Sequence, residues 1–299
     1  MDIVQFFYVE IIPWGLWLIM FGLGMSLTLG DIKHVFVDMK AATIGLVGQL
    51  ILLPALGFLL VETLSPAPAI AVGLIILTAC PGGVTSNAYV FASRGDLALS
   101  VSLTGISSFI TVFTIPIWTF LALDLYYTQG SIPEIPVLDM IYKLASLTII
   151  PIGAGMIVRA LKPEFAKRLI ETLRKITLIF LITLVVSGTI TSFPVLMDNF
   201  IDAALIALLL NVIAMAMGFT LGGFFKLDLA KRVSITYEVG VQNITLAFLV
   251  TLSLLQEPSL AAATLVYALF MKITALTFLT FARKWIKEDA VSVKRMSMT

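Results

Sequence analysis

Charge is what this sequence has least of. Only 12% of its 299 residues are Asp, Glu, Lys or Arg, and the net charge is +1; soluble domains carry roughly 25%. A near-neutral chain without basic runs interleaved with aromatics excludes nucleic acid as a partner. Cysteine occurs once, at Cys80, and histidine once, at His34. One thiol builds neither an intrachain disulfide framework nor a cysteine metal cluster, and one imidazole removes most zinc and catalytic arrangements. The two read as a packed thiol and a loop imidazole. No enzyme and no cofactor are expected. The opening Met1-Asp2-Ile3-Val4-Gln5 lacks the positive segment of a cleavable signal peptide, so none is expected.

Apolar residues, by contrast, make up 60% of the chain. A hydrocarbon crossing needs ~20 of them in succession, and nine such spans can be read: about 10–30, 41–61, 68–92, 97–122, 138–160, 176–195, 200–225, 233–254 and 259–281. The expected fold is an all-α polytopic membrane protein of one transporter domain. Of the 19 Lys and Arg residues, 17 fall in connections after odd-numbered spans: Lys33 and Lys40, Arg94, Arg159 to Lys175, Lys226 to Arg232, and Arg283 to Arg295. The positive-inside rule then puts the N-terminus outside and the C-terminus in the cytoplasm, with the basic tail, 283–299, against anionic headgroups of the surrounding lipid. Lys143 lies near the end of its span and can snorkel. Lys272 lies deep in the last span and is expected to face protein or water.

Two spans are interrupted by polar chemistry. The eighth carries Thr236-Tyr237-Glu238-Val239-Gly240-Val241-Gln242-Asn243. A carboxylate at that depth is costly and marks a cavity, a partner or an ion, and Gly240 lets the backbone leave helical geometry. The third carries Thr78-Ala79-Cys80-Pro81-Gly82-Gly83-Val84-Thr85-Ser86-Asn87, where proline removes a donor and two glycines follow. A packed proline kink would explain the third span alone. Its weak likeness to the eighth, five spans away and therefore oppositely oriented, points instead to inverted repeats with two discontinuous helices, where transporters place substrate and ion sites. Ser100, Thr104, Ser107 and Ser108 line one face of span four, either for close packing or as a polar lining.

Ionised Glu238 needs a counter-charge: a bound cation, its own proton, or Lys272. The surrounding oxygens suit a hard cation, and half-helix N-termini suit an anionic substrate. The composition suggests cation-coupled uptake of an organic anion.

Cys80 to Asn87, then Ser93-Arg94-Gly95-Asp96-Leu97-Ala98-Leu99-Ser100, together with Glu238 to Asn243 and Gly22 to Leu29, resemble the bile acid:sodium symporter family over nearly the whole chain. The resemblance implies a panel of spans one, five and six (10–30, 138–160, 176–195) and a core (41–122 and 200–281), in a nine-helix form that lacks the extra N-terminal helix of ten-helix relatives. It implies one sodium site of Ser86, Asn87, Ser100, Thr104 and Glu238. A second would use Gln49, Glu238, Gln242 and the carbonyls of Val239 and Val241. Val84, Thr85 and Asn243 would line the substrate pocket. Two positions depart from the pattern: Val84 stands where several relatives carry Thr, and Lys272 where a ten-helix relative carries Asn. Lys272 then either pairs with a substrate carboxylate or sulfonate, or is a structural partner of Glu238 or another buried acceptor. Alternating access of core against panel is implied, with Pro151, Gly153, Gly155, Pro194, Gly218, Gly222 and Gly223 serving as hinges or as packing contacts.

The expected function is sodium-coupled symport of a bile-acid-like, pantoate-like or keto-acid anion in a bacterial inner membrane. The main alternative is a proton-coupled carrier on the same fold, with Glu238 cycling its proton. A channel or membrane receptor is a weaker one: no repeated pore ring and no output domain are readable.

Overall fold

The computed structural model describes residues 3–28, 30–31, 37–127 and 136–296. Lys33, His34 and most of the connection at 123–137 lie outside the described residues. Among the described residues, all regular structure is helical. We label the helices α1 (Phe7–Ser26), α2 (Met39–Leu64), α3 (Pro68–Ala79), α4 (Val84–Ser93), α5 (Leu97–Tyr126), α6 (Val137–Leu161), α7 (Pro163–Asp198), α8 (Phe200–Phe224), α9 (Leu229–Gly240), α10 (Ile244–Leu254) and α11 (Ala261–Met296).

Seven segments, α1, α2, α5 to α8 and the one carrying α11, are long and apolar enough to cross a membrane. At 1.5 Å per residue the shortest, of 20 residues, matches a ~30 Å hydrocarbon core. The other two apolar stretches are interrupted where the sequence breaks them. α3 stops at Ala79 and α4 restarts at Val84; α9 stops at Gly240 and α10 begins at Ile244. Asp38, Asp96 and Asp228 cap α2, α5 and α9 by accepting from Ala41, Leu99 and Lys231 N–H groups. A carboxylate there satisfies an orphan donor and complements the positive end of the helix.

Two connections differ from the sequence reading. The basic stretch after the fifth span is helix rather than loop: only Lys162 separates α6 from α7, and Glu164 and Lys167 pair at 2.8 Å on the new turns. Pro163 starts α7 with φ already preset, and no glycine or proline follows until Gly188, so nothing stops the helix. The tail after 283 likewise continues α11 to Met296.

α1 packs most closely on α6. A Cβ at Gly24 would lie 2.1 Å from the Ile152 carbonyl oxygen, and one at Gly155 would lie 2.3 Å from that of Phe21. α7 lies against α1, where Tyr8 donates to Thr191 Oγ1 at 2.5 Å. Gly218 and Gly222 bring α8 against α9, with Ile235 O and Arg232 Cγ at 3.0 and 2.8 Å from an added Cβ. These glycines are packing contacts, while Gly153 has open space beside it. Around this core, Ile179, Ile182, Ile190, Leu205 and Val212 are exposed, as expected of a surface that faces hydrocarbon.

Candidate functional site

The two interruptions meet. Gly83 N–H donates to Val241 O at 2.8 Å and Asn243 N–H to Pro81 O at 3.0 Å, so Gly82 and Gln242 pair as a short antiparallel ribbon. Backbone groups freed by each break are thus satisfied by the other, which a buried segment requires. Gly82 admits no side chain: an added Cβ would sit 2.1 Å from Glu238 Oε1.

Glu238 projects from the last turn of α9 and is completely buried. Its carboxylate accepts from Thr104 of α5 at 2.9 and 3.0 Å and from Ser86 of α4 at 3.0 Å. Ser100 donates to Asn87 Oδ1 at 2.7 Å, and Thr104 also donates to the Ser100 carbonyl at 3.0 Å. The five residues expected at the first cation site are therefore brought together from α4, α5 and α9. Glu238 is met by hydroxyls and not by Lys272, which sets aside the reading of that lysine as its partner.

On the other side of the ribbon, Gln49 donates to Cys80 O at 2.8 Å and to Gln242 Oε1 at 2.9 Å. Gln242 donates to Val239 O at 2.6 Å, while Val241 O receives Gly83 N–H. Gln49 sits in a widened turn, Gly48–Leu52. Pro54 follows it, and a proline lacks the N–H that would bond four residues back; such wide turns recur at functional sites.

Asn243 caps α10 by accepting from Leu246 N–H at 3.1 Å. Val84 and Thr85, at the start of α4, are exposed beside the ribbon. Lys272 is also exposed and makes no hydrogen bond or ion pair with any described residue. α11 and the turn before it pack against α7. Ser192 donates to Pro258 O at 2.6 Å, and Leu265 Cδ2 lies 3.6 Å from the Cβ position of Gly188. Lys272 lies seven residues, two turns, beyond Leu265 on the same stripe. Ser192 thus ties α7 to the turn just before α11, and Lys272 lies exposed two turns beyond Leu265.

Three further residues hold the site and were missed in the sequence. Asn211 of α8 donates to Gly240 O at 2.8 Å and to Tyr267 OH at 3.1 Å. Tyr267 donates to the same carbonyl at 2.9 Å, and Thr274 donates to Asn211 Oδ1. A lone Asn within an apolar helix was the available signal. Tyr237 stacks on Tyr89 at 5.5 Å and its hydroxyl meets Ser93 Oγ at 2.8 Å, joining α9 to α4.

Comparison with known proteins gives concordant results. The family model of the Sodium Bile acid symporter family matches residues 13–199, which takes in the first interruption. A Bacillus subtilis sodium-dependent transporter, YocS, is 26% identical over 290 residues, covering 94% of this chain and 86% of that protein. The human ileal sodium/bile acid cotransporter is 28% identical over 274 residues, 88% of this chain and 76% of its own length. An Oryza sativa protein named "Probable sodium/metabolite cotransporter BASS2, chloroplastic" is 25% identical over 269 residues; there the chain covers 63% of the relative.

Proposed function

The chain belongs to the sodium bile acid symporter family, and on that premise we propose that it carries a small organic anion across the membrane together with sodium. Membership makes it a sodium-dependent transporter rather than an enzyme. The observation that carries the finer reading is Glu238: a wholly buried carboxylate, met only by hydroxyls, at the crossing of two broken helices. A hard monovalent cation favours such oxygens. Ser86, Asn87, Ser100 and Thr104 would hold one sodium with Glu238, through lone pairs of the same oxygens that bond here. Gln49, Gln242, Glu238 and the carbonyls of Val239 and Val241 would hold a second. Each carbonyl keeps a further lone pair beyond its present hydrogen bond.

The substrate would bind against Val84, Thr85 and Asn243. Lys272 would pair with its carboxylate or sulfonate. In this reading the chain crosses the membrane nine times as inverted repeats, N-terminus outside, with the α1, α6 and α7 panel and the remaining helices as the core. Transport would proceed by an alternating-access cycle of core against panel. Short loops and similarity to the Bacillus subtilis transporter favour a bacterial inner membrane.

Uptake into proteoliposomes tests this reading. Labelled pantoate, a 2-keto acid and taurocholate are offered under an inward sodium gradient, and separately under an inward proton gradient in choline. Sodium-driven accumulation of at least one anion, abolished by a sodium ionophore, is the expected result. Accumulation that follows only the proton gradient would replace sodium by a proton cycling on Glu238.

A further inference from the structure

A second binding feature lies away from the crossover, between the start of α2 and the end of α8. A groove of about 400 Å³ opens there, walled by Ile44, Val47, Leu221 and Phe225, with Lys40 and Thr43 along one edge. That volume is within the ~300–1,000 Å³ of small-molecule sites, yet the walls are almost entirely apolar. Lys40 and Thr43 are three residues apart and share a helix face. Neither side chain makes a hydrogen bond or ion pair with any described residue, and both are exposed.

The charges around the groove are unequal. Asp38, just before α2, and Asp228, just before α9, are both engaged by Lys231, at 2.6 and 3.1 Å. Arg232 is occupied over the Phe219 ring, 3.9 Å from its centroid, and donates to Phe219 O at 3.3 Å. Lys226, in the left-handed turn after α8, is exposed. Lys231 is shared between the two acids, and with Arg232, Lys40 and Lys226 the described charges around the groove remain net positive, Lys40 making no ion pair with any described residue.

We propose that this groove binds one anionic phospholipid, its acyl chain along Ile44, Val47, Leu221 and Phe225 and its phosphate against Lys40 and Thr43. An apolar channel that ends at an ammonium and a hydroxyl fits a ligand with a hydrocarbon body and a single anionic head. The site lies on α2 and α8, helices that also hold Gln49 and Asn211, so the lipid would brace the two helices that support the crossover. The inference rests on the chain spanning a membrane, and not on which ion it transports.

The test is retention of lipid by the purified full-length protein, read by native mass spectrometry after exchange into mixed micelles. The micelles contain phosphatidylglycerol and phosphatidylcholine of identical acyl chains. Wild type is expected to retain phosphatidylglycerol about fivefold over phosphatidylcholine, the preference one lysine gives near an anionic head. Lys40→Gln should abolish the preference, Val47→Trp should reduce retention of both lipids, and Lys226→Gln should leave most of the preference. Equal retention of the two lipids by wild type would overturn the proposal, as would a preference unaffected by Lys40→Gln. So would a second copy of the chain, rather than lipid, protecting the groove. A sodium-dependent thermal shift measured on the same wild-type sample reports independently on the crossover, so the two readings fail separately.

Discussion

The two interrupted helices solve one problem by different means. At each, the last carbonyl before the break is capped by an amide from the preceding long helix: Gln49 of α2 reaches Cys80 O, and Asn211 of α8 reaches Gly240 O. Beyond that the two diverge. The first break is written into its own backbone, with Pro81, Gly82 and Gly83, and the following α4 keeps an exposed face at Val84, Thr85 and Phe91. The second has one glycine and no proline; it is held open from outside by Asn211 and Tyr267, and α10 is buried almost throughout. In the proposed function the exposed face of α4 would meet the substrate, and the buried second break would hold Glu238 as a fixed ion ligand. An unwound segment specified by neighbours depends on them; one specified by proline and glycine depends on the absence of a side chain.

That contrast can be broken most severely at the glycines. Gly82→Ala drives a methyl into the Glu238 carboxylate, which cannot retreat without leaving Ser86 and Thr104. Sodium-driven uptake should fall to background, with a loss of ~1–3 kcal/mol in stability. Gly240→Ala meets instead Met215 Cγ at 2.3 Å, part of an unbranched side chain that can repack, and should retain measurable uptake. Equal loss at the two positions would erase the distinction.

The amides sharpen it next. Asn211→Leu leaves a buried hydroxyl and carbonyl short of partners and should cost ~1–3 kcal/mol in thermal unfolding while keeping a sodium-specific shift. Gln49→Leu should cost a similar amount and lose most of that shift, because Gln49 also orders Gln242. A sodium response equally reduced in both variants would make the two amides equivalent.

Lys272 probes the exposed side. Lys272→Gln should leave stability within ~0.5 kcal/mol and raise KM for an anionic substrate about tenfold, the loss of one charge-assisted hydrogen bond, without affecting a neutral analogue. Unchanged preference between acidic and neutral analogues would remove it from the pocket.

The smallest effect lies at the polar start of α9. The hydrogen bond to Asp38, then that to Asp228, raises the Lys231 pKa above its ordinary 10.5. A raised lysine pKa means a contribution fully present below the unfolded value and lost as pH climbs through the folded one. The stability difference between wild type and Lys231→Gln should be below ~1 kcal/mol and should close only above about pH 10.5. A difference that closes at neutral pH would show that the pair contributes nothing.

Much of this was legible in the chain because the chemistry is contiguous. Pro81-Gly82-Gly83 and Glu238 to Asn243 each place breakers and oxygens within one run, and hydropathy exposes them against an apolar background. The neighbours were not legible. Asn211 and Tyr267 are single polar residues in apolar helices, and their shared target, Gly240 O, lies 29 and 27 residues away. Lys272 was conspicuous by depth, but depth does not say which face it occupies; the structure puts it on an exposed one. The basic stretch around Lys167 read as loop because charge outweighed the absence of a breaker, yet Pro163 makes it helix.

The most direct test of the account is the melting temperature of the purified protein in sodium, against choline at equal ionic strength, for wild type and Glu238→Gln. The substitution keeps the shape of the side chain and removes its charge. A ligand at ~15-fold excess over Kd stabilises by ~1.6 kcal/mol. The account predicts a rise of that order, specific to sodium, in wild type and its loss in Glu238→Gln. A wild-type protein indifferent to sodium, or a variant that keeps the full rise, would contradict the assignment of Glu238 as the ligand at the crossing of the two broken helices.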